Sequence, residues 1–131
     1  YNENLVMASS YKKPNLTLVE KVNFTRFDEY CEEEGIENVD ILKVDAEGGE
    51  LNFLLGSKEI INNSKNLILV IEVIEENCIA GGYSAKQLYE HICKMGFIGF
   101  YPKPWPFSLK RIKSLPEDYF DNVIFLKGYK M

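Results

Sequence analysis

"ILKVDAEGGELNFLLGS", residues 41 to 57, is the stretch that decides the fold. Its first six residues are mostly apolar and predict a buried strand. Two charged residues, Lys43 and Asp45, interrupt that strand, and Glu47 follows at once. The glycines at 48 and 49 then mark a turn into a helix that carries several leucines. This order of strand, turn and helix is typical of one unit of an α/β sheet.

Strands and helices alternate along the rest of the chain. Thr25 predicts the start of a helix that Gly35 ends, and Ser84 predicts the start of a helix that Gly96 ends. We predict loops at 77–83 and at the proline-rich 102–120. Strands are predicted at 16–24, 39–45, 66–76, 97–101 and 122–129.

The order of these elements predicts a mostly parallel α/β sheet with a final antiparallel strand pair. The 66–76 strand is apolar on both faces, which is typical of a parallel strand covered by helices on both sides. With 131 residues, we expect one domain over 1–131.

Charge and composition exclude several classes of partner. The net charge is −5 and the isoelectric point is near 5.0, so neither nucleic acid nor an anionic membrane is expected. No apolar run reaches the roughly 20 residues that a bilayer requires. The 3 cysteines are an odd number without close spacing, which predicts reduced thiols and a cytoplasmic protein.

Charged side chains converge at the carboxyl ends of two predicted strands. Lys43 and Asp45 share one face of their strand because side chains alternate, and Glu72 lies near the end of the next strand. Ligands of open α/β sheets bind beyond these strand ends, so the charges predict a site together with Glu47. A structural interpretation stays open: Asp45 or Glu47 caps the helix, and Lys43 pairs with Asp28 or Glu72.

Residues 40 to 56 carry the pattern D-x-x-K-x-D-x-E-G-x-E-x-x-x-L-x-G, which resembles the signature of the FkbM-family methyltransferases. The flanking "VNFTRFDEY" and "LILVIEV" resemble neighbouring segments of that family and retain Asp28 and Glu72. Gly49 departs mildly, since a bulkier residue is more usual there. The matching positions of the central pattern are Asp40, Lys43, Asp45, Glu47, Gly48, Glu50, Leu54 and Gly56.

This resemblance implies a class I methyltransferase that uses S-adenosylmethionine on a Rossmann-like sheet. The chain then corresponds to the later half of the catalytic domain and lacks its N-terminal cofactor-binding strands. No G-x-G occurs in the sequence, so the cofactor-binding residues stay unknown. We expect the isolated chain to bind S-adenosylmethionine weakly or not at all and to be inactive alone.

The resemblance further implies methylation of a hydroxyl on a sugar or natural product, that is, a saccharide or small-molecule acceptor. We predict catalytic roles for Asp45, Lys43 and Glu47, with Asp45 as the base or positioning group and Lys43 keeping it ionised. Glu72 and Asp28 are the predicted substrate-binding residues. No metal ligand is assigned, although a divalent metal on these carboxylates is an option.

A second hypothesis comes from another class of protein. The chain would then be a truncated, non-catalytic α/β half-domain or interaction module. Under either hypothesis, the strand at 39–45 would expose an unpaired sheet edge through which the chain forms homo-oligomers.

Overall fold

The computed structural model describes residues 24–103, 108–116 and 119–130. The strand predicted at 16–24 falls outside this part except for Phe24. The described helices are α1 (Phe27–Glu33), α2 (Glu50–Leu55), α3 (Lys58–Asn63), α4 (Glu75–Ala80) and α5 (Ala85–Lys94). The described strands are β1 (Ile41–Val44), β2 (Leu67–Ile74), β3 (Ile98–Lys103), β4 (Ser108–Arg111) and β5 (Phe120–Lys127).

The described strands form one mixed sheet in the order β1-β2-β5-β3-β4. β1 and β2 pair in parallel, whereas the β2–β5, β5–β3 and β3–β4 pairs are antiparallel. The prediction of a mostly parallel sheet is therefore confirmed only in part, because three of the four described pairs are antiparallel. The cause is the position of β5, which inserts between β2 and β3. β1, β2 and β3 do run in one direction, as helical crossovers require, but β5 separates the last two.

Two local predictions are wrong. The proline-rich segment predicted as a loop contains β4, which pairs with β3 so that Pro102 lies opposite Leu109. Proline is tolerated there because these outer residues of β3 pair on one side only. The predicted loop at 77–83 begins inside α4, since β2 ends at Ile74 and the helix starts directly after it.

The hydrophobic core lies on one face of the sheet. In β2, the side chains of Leu67, Leu69, Ile71 and Val73 are fully buried, and they cluster with apolar residues from the helices. The alternate residues of β2 are only half-buried. Within the described residues, the helices thus supply one buried layer rather than the two that we predicted.

The residues that we predicted to begin and end helices are largely confirmed. Ser84 caps α5: its hydroxyl accepts from the Gln87 N–H at 3.2 Å, and the Gln87 side chain accepts from the Ser84 N–H at 2.8 Å. Gly35 has a positive φ of 68° just after α1. At the start of α1 the cap is Arg26 rather than Thr25, whose hydroxyl donates to Glu29 instead.

The alternation of elements and the parallel β1–β2 pair are consistent with a Rossmann-like α/β fold, although the strand order and parallel character match only in part. The predicted antiparallel pair near the end is confirmed, with Ile98 of β3 opposite Leu126 of β5. No helix in the described part is both long and apolar enough to cross a bilayer.

Candidate functional site

An ion pair stands at the carboxyl end of β1. Leu42 and Val44 are buried, whereas Lys43 and Asp45 point to the open face, as strand alternation predicts. The Lys43 Nζ donates to Asp45 Oδ2 at 2.7 Å. This hydrogen bond raises the pKa of Lys43, so the ammonium group stays charged. The structural interpretation paired Lys43 with Asp28 or Glu72, but in the structure its partner is Asp45.

Three acids meet at the carboxyl ends of β1 and β2. One carboxylate oxygen from each of Asp45, Glu47 and Glu72 lies within 4.8 Å of the other two, and we call these residues the acid cluster. Like charges at about 4 Å repel by roughly 1 to 4 kcal/mol, depending on solvent access. Burial raises the pKa of Glu72, and Asp45, Glu47 and Glu50 raise it further, while Lys43 opposes them. Glu72 therefore favours the protonated form more than an ordinary glutamate does.

The turn after β1 has an unusual backbone. Glu47 has a φ of 49°, and it is the one non-glycine residue with a positive φ among those described. Gly48 follows with a φ of 103°. A non-glycine residue in this region costs on the order of 1 to 3 kcal/mol unless its surroundings hold it there. This conformation brings the Glu47 carboxylate to the acid cluster.

The buried Glu50 side chain stabilises this turn by accepting hydrogen bonds from its backbone. Its side chain is 2% exposed, and its carboxylate accepts from the N–H groups of Ala46 at 3.0 Å and Gly48 at 3.1 Å. α2 begins at Glu50, and its N-cap residue Gly49 offers no side chain to cap it. The structural interpretation assigned capping to Asp45 or Glu47, but no side chain caps α2 in the structure.

Two residues that the sequence did not single out contact the turn. The Tyr83 hydroxyl lies 2.8 Å from Glu50 Oε2 and 2.9 Å from the Gly48 carbonyl oxygen. Burial raises the pKa of Tyr83, and its hydrogen bond to Glu50 does so as well, so the phenol stays a donor. The Asn77 side-chain N–H donates to Glu47 Oε2 at 2.9 Å. Both residues lie about thirty positions away from the turn in sequence, so no local pattern pointed to them.

Asp28 lies apart from the acid cluster. Its carboxylate accepts from the N–H groups of Glu59 at 3.2 Å and Ile60 at 3.0 Å, where it caps α3. Its side chain is 8% exposed and also pairs with Arg26 at 3.8 Å. The structure therefore gives Asp28 a capping role, and its placement offers no support for the predicted role in substrate binding.

Two cavities in the described part lie away from the acid cluster. One of about 570 Å³ is lined by Asp28, Cys31 and other residues of α1 and α3. The other, of about 450 Å³, is lined by Tyr83, His91 and Lys94. Burial lowers the pKa of His91, and Lys58 and Lys94 lower it further. The His91 side chain is half-buried where it lines this cavity.

Comparisons with known proteins give one match. A family model described as "Methyltransferase FkbM domain" matches residues 3–98, which include β1, β2 and every residue of the acid cluster. No curated protein and no solved structure matches the chain.

Proposed function

This chain belongs to the FkbM methyltransferase domain family, and from that premise we propose that it supplies the acceptor side of an enzyme that methylates a hydroxyl oxygen of a saccharide or other small-molecule acceptor. The acid cluster, with Lys43 paired to Asp45, is the observation that carries the proposal. It lies where the carboxyl ends of two parallel strands meet, which is the usual place for a ligand in such sheets.

Asp45 is the residue that we assign as the base. Its side chain is 43% exposed, so an acceptor hydroxyl has access to it. The Lys43 Nζ donates to Asp45 Oδ2 at 2.7 Å and so holds this carboxylate in place beside the acid cluster. Glu47 and Glu72 line the same site and provide acceptors for further hydroxyl groups, as a polyhydroxylated acceptor requires.

The methyl donor in this family is in general S-adenosylmethionine. Class I enzymes hold its nucleotide part with a glycine-rich loop, and no G-x-G occurs in this sequence. The described residues do not supply that loop, so we assign none of them to the cofactor. The roles proposed here concern the acceptor side alone.

A divalent cation is the second candidate occupant of the acid cluster. Three carboxylate oxygens are suitable ligands for Mg²⁺ or Ca²⁺. The Lys43 ammonium, however, already neutralises Asp45 at 2.7 Å and would be repelled by a nearby cation. We therefore propose a site that works without a metal, and activity that a chelator abolishes and Mg²⁺ restores would reverse this assignment.

The site is proposed to act in the cytoplasm. Cys31, Cys78 and Cys93 are free thiols in the described part of the chain, which suits a reducing compartment.

Transfer of a radiolabelled methyl group from S-adenosylmethionine to a panel of sugars and hydroxylated natural products tests the proposal, in an enzyme that carries this chain together with the cofactor-binding strands of the family. The Asp45→Asn variant should lower turnover by roughly a hundredfold, the scale of a positioned base. Its melting temperature should change little, because Asp45 is exposed and not part of the core.

Asp121→Asn is the matched control, since Asp121 is an exposed aspartate on β5, and it should keep full turnover. Unchanged turnover in Asp45→Asn would remove Asp45 from the mechanism. An enzyme of this kind that binds S-adenosylmethionine but transfers no methyl group to any acceptor would instead favour the interaction module.

A further inference from the structure

We propose that residues 75–83, which we call the α4 segment, form a clamp that positions the acid cluster for the acceptor. Asn77 orients the Glu47 carboxylate, and Tyr83 locks the turn that carries it. This inference rests on the proposed function, because it assigns positioning residues to the same site.

The first part of the clamp is the contact between Asn77 and Glu47. Asn77 is 8% exposed, and its side-chain N–H donates to Glu47 Oε2 at 2.9 Å. This hydrogen bond opposes the repulsion that the carboxylates of Asp45 and Glu72 exert on the Glu47 carboxylate. The amide offsets this repulsion and adds no charge, so the cluster keeps its acidic character.

The second part is the lock around Tyr83. Its hydroxyl has one proton and two oxygen atoms within 2.9 Å, Glu50 Oε2 and the Gly48 carbonyl, so the proton is shared between them. Glu50 in turn accepts from the N–H groups of Ala46 and Gly48. The lock therefore fixes the backbone on both sides of Glu47, which explains how Glu47 keeps its positive φ.

Close approach of the α4 segment to the turn depends on Gly81. A Cβ atom at this position would lie 2.2 Å from the Gly48 carbonyl oxygen and 2.7 Å from the Tyr83 ring. Only a residue without a side chain brings the two backbones this near. β2 also leads directly into α4 at Ile74, so Glu72 and the clamp lie on one continuous stretch of chain.

Asn77→Ala and Asn77→Leu test the first part in the methyl-transfer assay. If the amide acts as a donor, both variants should lower kcat by ten- to a hundredfold, the effect of a misplaced catalytic group, with little change in the KM for the methyl donor. If Asn77 only fills space, the leucine, which has a similar volume, should restore kcat. Asn62→Leu, at an exposed asparagine of α3, is the control. Restoration by leucine would overturn the proposal for Asn77.

Tyr83→Phe tests the lock without any measurement of activity. Amide hydrogen exchange at Ala46 and Gly48 should accelerate about tenfold to a hundredfold, as expected from one lost hydrogen bond to a charged group. The Ile71 amide, in the middle of β2, should change much less. Tyr30→Phe, at an exposed tyrosine, is the control.

Equal acceleration at Ile71 and Gly48, or none at Gly48, would overturn the lock. A protein that shows the local acceleration but transfers no methyl group to any acceptor would keep the lock and refute the proposed function. The two failures are thereby distinguishable.

Discussion

At the scale of single residues, Glu72 lies where its surroundings disfavour its charged form. It lies on β2, where the residues on either side of it, Ile71 and Val73, are fully buried. Burial raises its pKa first, and the acids of the cluster add to this effect. A group whose pKa is raised in the folded state destabilises that state when it ionises. An acid retained at such a cost is typical of a functional site.

Glu72→Gln should therefore stabilise the protein at neutral pH. At pH 4 the glutamate and the glutamine are both largely neutral, and the two melting temperatures should nearly agree. As the pH rises past the ordinary glutamate value of 4.5 and through the raised pKa of Glu72, the wild type loses stability and the variant does not. By pH 7 the variant should melt about 1 to 3 °C higher.

Thermal unfolding followed by circular dichroism between pH 4 and pH 8 measures this difference. The exposed Glu33→Gln provides a control for the loss of one charge. A variant that melts below the wild type at neutral pH would mean that Glu72 stabilises the fold through its charge.

At the scale of elements, the contact between α4 and the turn after β1 requires the backbones at Gly81 and Gly48 to lie close together. Two helices end in a glycine with a negative φ: α2 at Gly56, with −88°, and α4 at Gly81, with −76°. An alanine adopts either conformation without strain. The two glycines differ in surroundings, because a Cβ at Gly56 has no neighbour closer than 3.5 Å, whereas one at Gly81 collides with Gly48.

Gly81→Ala should therefore destabilise the protein by about 1 to 3 kcal/mol, the usual range for overpacking a closed contact. Gly56→Ala should be neutral or slightly stabilising, because alanine restricts the unfolded chain. Urea denaturation of both variants gives the comparison. Equal free energies of unfolding would show that the α4 segment moves away from the turn without cost.

The sequence predicted the charged residues that meet at the ends of β1 and β2 more reliably than the contacts that hold them there. The acids and glycines of residues 40 to 56 predicted the turn and the Lys43 ion pair, because these depend on neighbouring residues. The partners of Glu47 and Glu50 are 30 and 33 positions away, and no local pattern encodes such contacts. β4 was missed because prolines around it indicate a loop, and the pairing that makes it a strand is again tertiary.

At the scale of the whole molecule, β1 is one of the two edge strands of the described sheet. It pairs with β2 on one side, and no described strand pairs with its other side. Ile41, at its start, is 63% exposed. Unpaired backbone groups beside an exposed apolar side chain favour pairing with a second copy.

Light scattering coupled to size exclusion should accordingly detect a dimer whose share grows with protein concentration. Ile41→Lys should reduce it, because a lysine on an edge strand opposes pairing. Ile79→Lys is the matched control, since Ile79 is also 63% exposed but lies on the helix α4 and not on an edge strand. A monomer at every concentration, or an equal effect of both lysines, would contradict this role of β1.

The position of β5 has a consequence for how the protein is made. β5 follows every other described element along the chain, yet it lies at the centre of the sheet and pairs with β2 over the full length of that strand. While the ribosome is still synthesising residues before 120, β2 and β3 therefore each lack a neighbour, and Val123 and Phe125 are missing from the core. The nascent chain cannot complete this sheet step by step. The sheet is complete only after β5 has left the exit tunnel. Until then, the unpaired backbone groups of β2 and β3 and the apolar side chains beside them are open to contact with other chains.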